Sequence, residues 1–148
     1  MTAEKTFQQP ANGPTKRLLI TGAAGALGRV MRDAIQNEVG PLGEWTHVRV
    51  SDRLPIQDLR QHEESVTCDL ADRAAMEKLL EGVDAVVHLA GAGIGDKRWT
   101  NDYKREILDS RTKSTALLAT TMASLAVKPK VFLSGSAIGI YGDRLDET

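Results

Sequence analysis

A single cysteine, Cys68, stands in this chain, so no internal disulfide can form, and one thiol alone builds no metal site. Histidine is scarce as well. His47, His62 and His88 lie far apart and show no ligand spacing such as HxxxH, which argues against a metal centre. Long apolar runs are missing: no stretch approaches the roughly 18 apolar residues of a membrane span. Met1 to Thr15 is polar, broken by Pro10, Gly13 and Pro14, and lacks the apolar core of a signal peptide. Nor does either sign of charge dominate. The formal net charge is −1 with Lys and Arg scattered, whereas a non-specific nucleic-acid binder carries a basic face. These absences lead us to expect a cytoplasmic protein with a flexible polar tail over residues 1–15 and no metal, membrane or nucleic-acid partner. A homo-oligomer is compatible with the sequence.

What is present fits one globular domain over 16–148. The chain has 148 residues, 41% hydrophobic and 26% charged, an ordinary soluble mix. A chain of that length buries roughly two thirds of the surface it exposes when unfolded, enough for a core of its own. After the tail, strand and helix signals alternate, the pattern of a parallel sheet with crossover helices. Residues 17–21 (RLLIT) read as a first strand. Leu27, Val30, Met31, Ala34 and Ile35 recur at i, i+3, i+4, i+7 and i+8 and predict the apolar face of a helix ended by Gly40, Pro41 and Gly43. His47 to Ser51 and Ser65 to Cys68 read as strands two and three. Asp72 caps a helix carrying Ala75, Met76, Leu79 and Leu80, and Gly82 stops it. Ala85 to Leu89 is strand four. A long helix over 102–126 carries Tyr103, Ile107, Ser114, Leu118, Met122 and Leu125 on one stripe, and Val131 to Ser134 is strand five after Pro129. The expected class is α/β, a Rossmann-type doubly wound parallel sheet of about five strands in the order 3-2-1-4-5.

The chemistry concentrates in Thr21-Gly-Ala-Ala-Gly-Ala-Leu-Gly28, between strand one and the first helix. Glycine there permits a tight turn and lets backbone approach a pyrophosphate, while the helix N-terminus offers unpaired N–H groups and a positive dipole end. The competing reading is a glycine-rich turn without a ligand; strand, loop and helix fall where the anion site needs them. No Gly-Lys-Ser/Thr follows, so it is not a P-loop. Asp52 ends strand two near the roughly 20-residue spacing expected of the carboxylate that takes the adenosine ribose hydroxyls. It favours NAD over NADP, because it would repel a 2′-phosphate. Arg53 beside it pulls the other way, since a guanidinium could pair with that phosphate. The plain alternative for Asp52 is a turn-forming aspartate.

TGAAGALG, the pair Asp69-Leu70 after strand three and His88-Leu-Ala-Gly91 after strand four together resemble extended short-chain dehydrogenases of the NAD-dependent epimerase/dehydratase family. KRLLITGAAGALG, VRVSD, HEESVTCDLAD and LLEGVDAVVHLAG, from Lys16 to Gly91, are most similar to uronate dehydrogenases. From Gly93 to Asp146, GAGIGDKRWT, ILDSRTKSTALL and LSGSAIGIYGD resemble the atypical epimerase-like branch, the cell-division-inhibitor homologues. The two likenesses join near Gly91, as in a mosaic of two relatives, and specify the same fold. The resemblance implies that Asp69 and Leu70 contact the adenine and that Leu89, Ala90 and Gly91 line the middle of the cofactor. It also implies that the full enzyme fold continues past Thr148, so the chain reads as a truncated part of it.

Enzymes of this family hold the substrate oxygen with Ser or Thr and move the proton with the Tyr of a YxxxK motif, whose Lys tunes the Tyr towards neutral pH. Ser136 matches the family serine in Ser134-Gly-Ser136-Ala, with Ser134 the alternative if the register slips; both could equally satisfy loop backbone. No YxxxK occurs: Tyr103 is followed by Lys104, and Tyr141 has Leu145 four residues on. Tyr141 is therefore expected to pack or to line the nicotinamide pocket, not to act as the base. Arg111 stands where extended members commonly carry Asn, reaching towards a site carboxylate or phosphate or lying on a solvated face. Lys97, Arg98 and Trp99 make a basic patch over the site mouth, placed for an anionic substrate or for anchoring the helix start. His88 is expected in the core. The leading expectation is a nicotinamide-dependent oxidoreductase acting on a sugar or sugar acid. Its rivals are an NAD-dependent sugar epimerase, a non-catalytic dinucleotide-binding module, and a fragment left with an uncovered edge beyond strand five.

Overall fold

A computed structural model of the chain describes residues 16–136. Five strands, β1 (Arg17–Thr21), β2 (His47–Asp52), β3 (Glu63–Thr67), β4 (Ala85–His88) and β5 (Val131–Ser134), form one parallel sheet in the order β3-β2-β1-β4-β5. Three helices cross over between them: α1 (Ala26–Gln36), α2 (Arg73–Leu80) and α3 (Asn101–Ser124), with a 3-10 turn at Gly40–Glu44. The two-residue period of the strands sends alternate side chains to opposite faces. Leu18, Ile20, Val48, Val50, Ala85 and Val87 pack beneath α1 with Ile35. Leu19 and Val86 point the other way and meet Met76, Leu79 and Leu80 of α2 and Leu118 and Met122 of α3. The chain therefore has two cores, one on each face. Strands buried on both faces read as apolar runs, as RLLIT and AVVH do.

Elements fall within a residue or two of their expected ends, except that α1 stops at Gln36 and Gly40, expected to end it, begins the 3-10 turn. Asp72 caps α2, its Oδ1 accepting the Ala75 N–H at 3.1 Å, and Thr100 caps α3 in the same way from Tyr103 at 3.2 Å. The face of α1 is a correction. Leu27 and Val30, expected inside, are 70% and 67% exposed, and the buried positions are Gly28, Arg32 and Ile35. The cause is Gly28: a Cβ there would sit 2.6 Å from the Gly22 carbonyl and 2.7 Å from the Ala23 Cα. That approach sets the rotation of the helix, and positions i+4 and i+7 follow Gly28 onto the sheet. Arg32 thus enters the core fully buried. Its guanidinium meets the Glu63 carboxylate in two bonds, Nε to Oε1 at 2.9 Å and Nη2 to Oε2 at 2.8 Å, and donates to the Ala23 and Asp58 carbonyls. No helix among the described residues is long and apolar enough to cross a membrane.

Candidate functional site

The carboxyl ends of the strands line up at one edge of the sheet. Thr21 ends β1 opposite Ser51 of β2 and His88 of β4, and His88 lies opposite Ser134 of β5. The chain turns to opposite sides of β1, and the crevice at such a point is where doubly wound sheets hold ligands. A cleft of about 1090 Å³ opens there.

Its first wall is backbone. Gly22 has φ +70°, and a Cβ on it would lie 2.6–2.7 Å from Leu89 and Ala90 backbone atoms, so the loop fits against the end of β4 only as glycine. Gly25 donates its N–H to the Gly22 carbonyl at 3.0 Å, and the first helical bond runs from Arg29 N–H to the Gly25 carbonyl. No side chain caps α1, and its first turn holds no acidic residue. The first-turn amides, which have no partner inside a helix, are left to face the cleft with the positive end of the dipole. The Asp52 carboxylate fastens this wall, taking the Ala24 N–H at 3.1 Å on Oδ2 and the Arg53 N–H at 2.8 Å on Oδ1. Two carboxylate oxygens offer about four acceptor sites, so capacity for further donors remains. Asp69, across the cleft floor, takes the Ala71 N–H at 2.9 Å.

The second wall is the loop from β4 to α3, fixed by α3 side chains. Ser110 Oγ accepts the Ala92 N–H at 3.0 Å, Arg111 Nη1 donates to the Ala92 carbonyl at 3.0 Å, and the Tyr103 hydroxyl donates to the Gly93 carbonyl. Asp109, Ser110 and Lys113 of α3 also face the cleft, Lys113 paired with Asp109 at 2.6 Å. Between the walls lies His88, 3% exposed. Ser114 Oγ gives its proton to the Ser110 carbonyl (2.6 Å), so it accepts from His88 Nε2 (3.0 Å), leaving Nδ1 to accept from Thr21 Oγ1 (2.6 Å). Burial pushes the imidazole down from its usual value to about 4. It is a neutral strut joining β1, β4 and α3.

Of the residues singled out from sequence, Gly22, Gly25, Ala26, Asp52, Arg53, Asp69, Leu70, Leu89, Ala90 and Gly91 are brought together around the cleft. Gly28 packs behind the loop, Leu27 points to solvent, and Ser134, the last residue of β5, and Ser136 beyond it are exposed and outside the cleft lining. Tyr141 lies outside the described residues. Arg111 lies exposed on α3, as one of its two expected readings had it, and from there it braces loop backbone. Lys97 sits 5.1 Å above the Tyr103 ring and 3.8 Å from Glu106, while Trp99, 57% exposed, bonds the Ile94 carbonyl at 2.6 Å and closes its own loop. Sequence reasoning missed the α3 lining residues, since polar side chains on a helix read as solvated until the neighbouring loop is placed. It missed Arg32 because charge is ordinarily a mark of the outer face. Among the described residues no group of three His, Cys, Asp or Glu could hold a metal ion.

The model of the NAD dependent epimerase/dehydratase family matches residues 18–148. The chain is 47% identical over 136 residues to a uronate dehydrogenase of Pseudomonas putida, covering 90% of this chain and 46% of that protein. It is 30% identical over 129 residues to an epimerase family protein of Mycobacterium leprae, covering 86% and 38%. Both likenesses extend across Gly91. Among solved structures, a mutant uronate dehydrogenase from Agrobacterium tumefaciens, complexed with NAD, is similar with a TM-score of 0.61 and 32% identity over 80% of this chain and 40% of that one. The chain thus spans less than half the length of these relatives.

Proposed function

Because the chain belongs to the NAD dependent epimerase/dehydratase family, we propose that it binds NAD in this cleft and serves hydride transfer on a sugar acid, as part of a uronate dehydrogenase-like oxidoreductase. The observation that carries the reading is the first wall: an uncapped helix start behind a glycine with no room for a Cβ, and a carboxylate at the far end of the same wall. The donor set fits the cofactor. The amides of Ala26, Leu27 and Gly28, behind the turn that Gly25 closes, suit a pyrophosphate, Asp52 suits the ribose hydroxyls, Asp69 and Leu70 the adenine, and Leu89, Ala90 and Gly91 the middle of the dinucleotide. NAD, when bound, supplies a hydride acceptor. Asp52 disfavours the 2′-phosphate of NADP, whereas Arg53, exposed beside it, would welcome one. Ser136, with Ser134 as the alternative, is assigned to hold the reacting oxygen of the substrate.

Two other readings have an observation behind them. Likeness to an epimerase family protein supports sugar epimerisation by the same hydride chemistry. The cleft by itself, whose donors suit a dinucleotide, supports a dinucleotide-binding module without turnover. Calorimetric titration with NAD and NADP, beside Asp52→Ala, tests the cofactor assignment. NAD is expected to bind, with affinity about tenfold or more weaker in the variant, the size of a lost charge-assisted hydrogen bond. Preference for NADP would overturn the role of Asp52, and binding of neither would overturn the proposal. NADH formation from a uronic acid would exclude the module.

A further inference from the structure

We infer that Arg111 is a positioning residue that pre-forms the second wall of the cleft, and that Gly91 is glycine to admit the Arg111 side chain. The segment between β4 and α3 leaves the sheet after His88 and does not become helical until Asn101. A loop of that length, with glycine at 91, 93 and 95, has many conformations open to it. At its start, however, both backbone polar groups of Ala92 are taken by adjacent α3 side chains, the N–H by Ser110 and the carbonyl by Arg111. The same Nη1 also donates to the Ile107 carbonyl of its own helix at 3.2 Å, so one nitrogen ties the loop to α3. Tyr103 adds the Gly93 carbonyl.

The guanidinium occupies the place a side chain at position 91 would need. A Cβ on Gly91 would lie 2.9 Å from Arg111 Cζ, 3.1 Å from Cγ and 3.1 Å from Nη1, and no cleft-side atom comes as near. The glycine therefore answers to the arginine. Gly91, Ala92 and Gly93 line the cleft, so what Arg111 holds is the surface a dinucleotide would lie against. A wall already in place spares a ligand the cost of ordering it.

The inference rests on the cleft being a dinucleotide site, and the test separates the two. NAD affinity, thermal unfolding without nucleotide, and hydrogen exchange of the Ala92 amide are measured for the full 148-residue chain and for Arg111→Ala, Gly91→Ala and the double variant. In Arg111→Ala we expect exchange at Ala92 to rise and NAD affinity to fall about tenfold, as when a tenth of molecules hold the competent loop, with the unfolding temperature nearly unchanged. Gly91→Ala alone should weaken binding similarly, yet add little once Arg111 is gone. Equal NAD affinity in parent and Arg111→Ala, or additive losses in the double variant, would overturn the inference and leave the cofactor site standing. A parent chain that binds no nucleotide would overturn both.

Discussion

The two flanks of the sheet are finished in different ways. On the β2–β3 side the outer strand is locked to the rest by charge. Arg32 and Glu63 pair out of solvent beneath α1, Arg60 reaches Asp33 at 2.6 Å, and Arg49 joins Glu64 at 2.7 Å while bonding the carbonyls of Leu79 in α2 and of Glu81 just after it. On the β4–β5 side the outer strand presents Val131 and Leu133 at 47% and 59% exposure, and the loop above it is held by single bonds from α3. Among the described residues the outer strand of one flank is held by ion pairs, and that of the other presents apolar side chains. The cleft lies between them, so its two walls differ in kind. One is rigid backbone on the locked flank, the other a loop held by side chains on the open flank.

Breaking the locked flank should have the largest effect. Arg32→Leu removes the partner of a carboxylate whose side chain is 4% exposed, and stranding a buried charge costs about 3–5 kcal/mol. It also frees the Ala23 carbonyl, while the Asp58 carbonyl keeps the bond from Arg60 Nη1 at 2.9 Å. Urea unfolding is expected to show that loss, with NAD affinity falling as the glycine loop loosens. A cost under about 1 kcal/mol would mean that β3 is held by its ladder alone and that the contrast between flanks is only apparent.

Next comes the glycine at the seam. Gly22→Ala places a methyl group 2.6 Å from the Ala90 amide nitrogen at a positive φ, and both neighbours are backbone that has nowhere to go. Strain and overpacking together should cost about 3 kcal/mol. Gly40 has φ +54° but meets nothing within 4 Å, so Gly40→Ala should cost about 1 kcal/mol from strain alone. Similar costs at both positions would show that close approach to β4 contributes little.

The same contrast explains what could be read from the sequence. The locked flank's half of the cleft is built from backbone turns and strand ends, and those leave marks: glycines between an apolar run and a helix, and an aspartate at a strand end. Sheet order follows from the alternation of strands and helices. The rotation of α1 was lost, because an apolar stripe at 27, 30 and 31 outweighed a steric demand at Gly28 that exists only once the Gly22 carbonyl is beside it. Arg32 went unnoticed for that reason, its partner Glu63 lying on a strand of another part of the chain. The open flank's wall depends on Ser110 and Arg111 finding the backbone of Ala92, and side chain to backbone bonds across a long loop have no sequence period.

The smallest effect sharpens the comparison at the joint itself. His88 is neutral and bonded to both flanks, to Thr21 of β1 and Ser114 of α3. Its folded pKa of about 4 lies below the roughly 6.5 of an exposed imidazole, so the unfolded chain binds the proton first as pH falls. Stability from this group is therefore full above about pH 6.5 and declines towards pH 4, at a slope of at most about 1.4 kcal/mol per pH unit. Glu64 of the locked flank responds elsewhere. Held below its usual range by Arg49 and His47 against the opposing push of burial, it loses its share only as pH falls through the lower carboxylate range. Denaturant midpoints between pH 4 and 7 for the parent and His88→Gln should separate the two contributions. The variant, less stable at pH 7, should lose the slope between pH 6.5 and 5 and keep the decline below it. An unchanged slope would place the acid sensitivity of that range outside His88 and deny the seam any part in it.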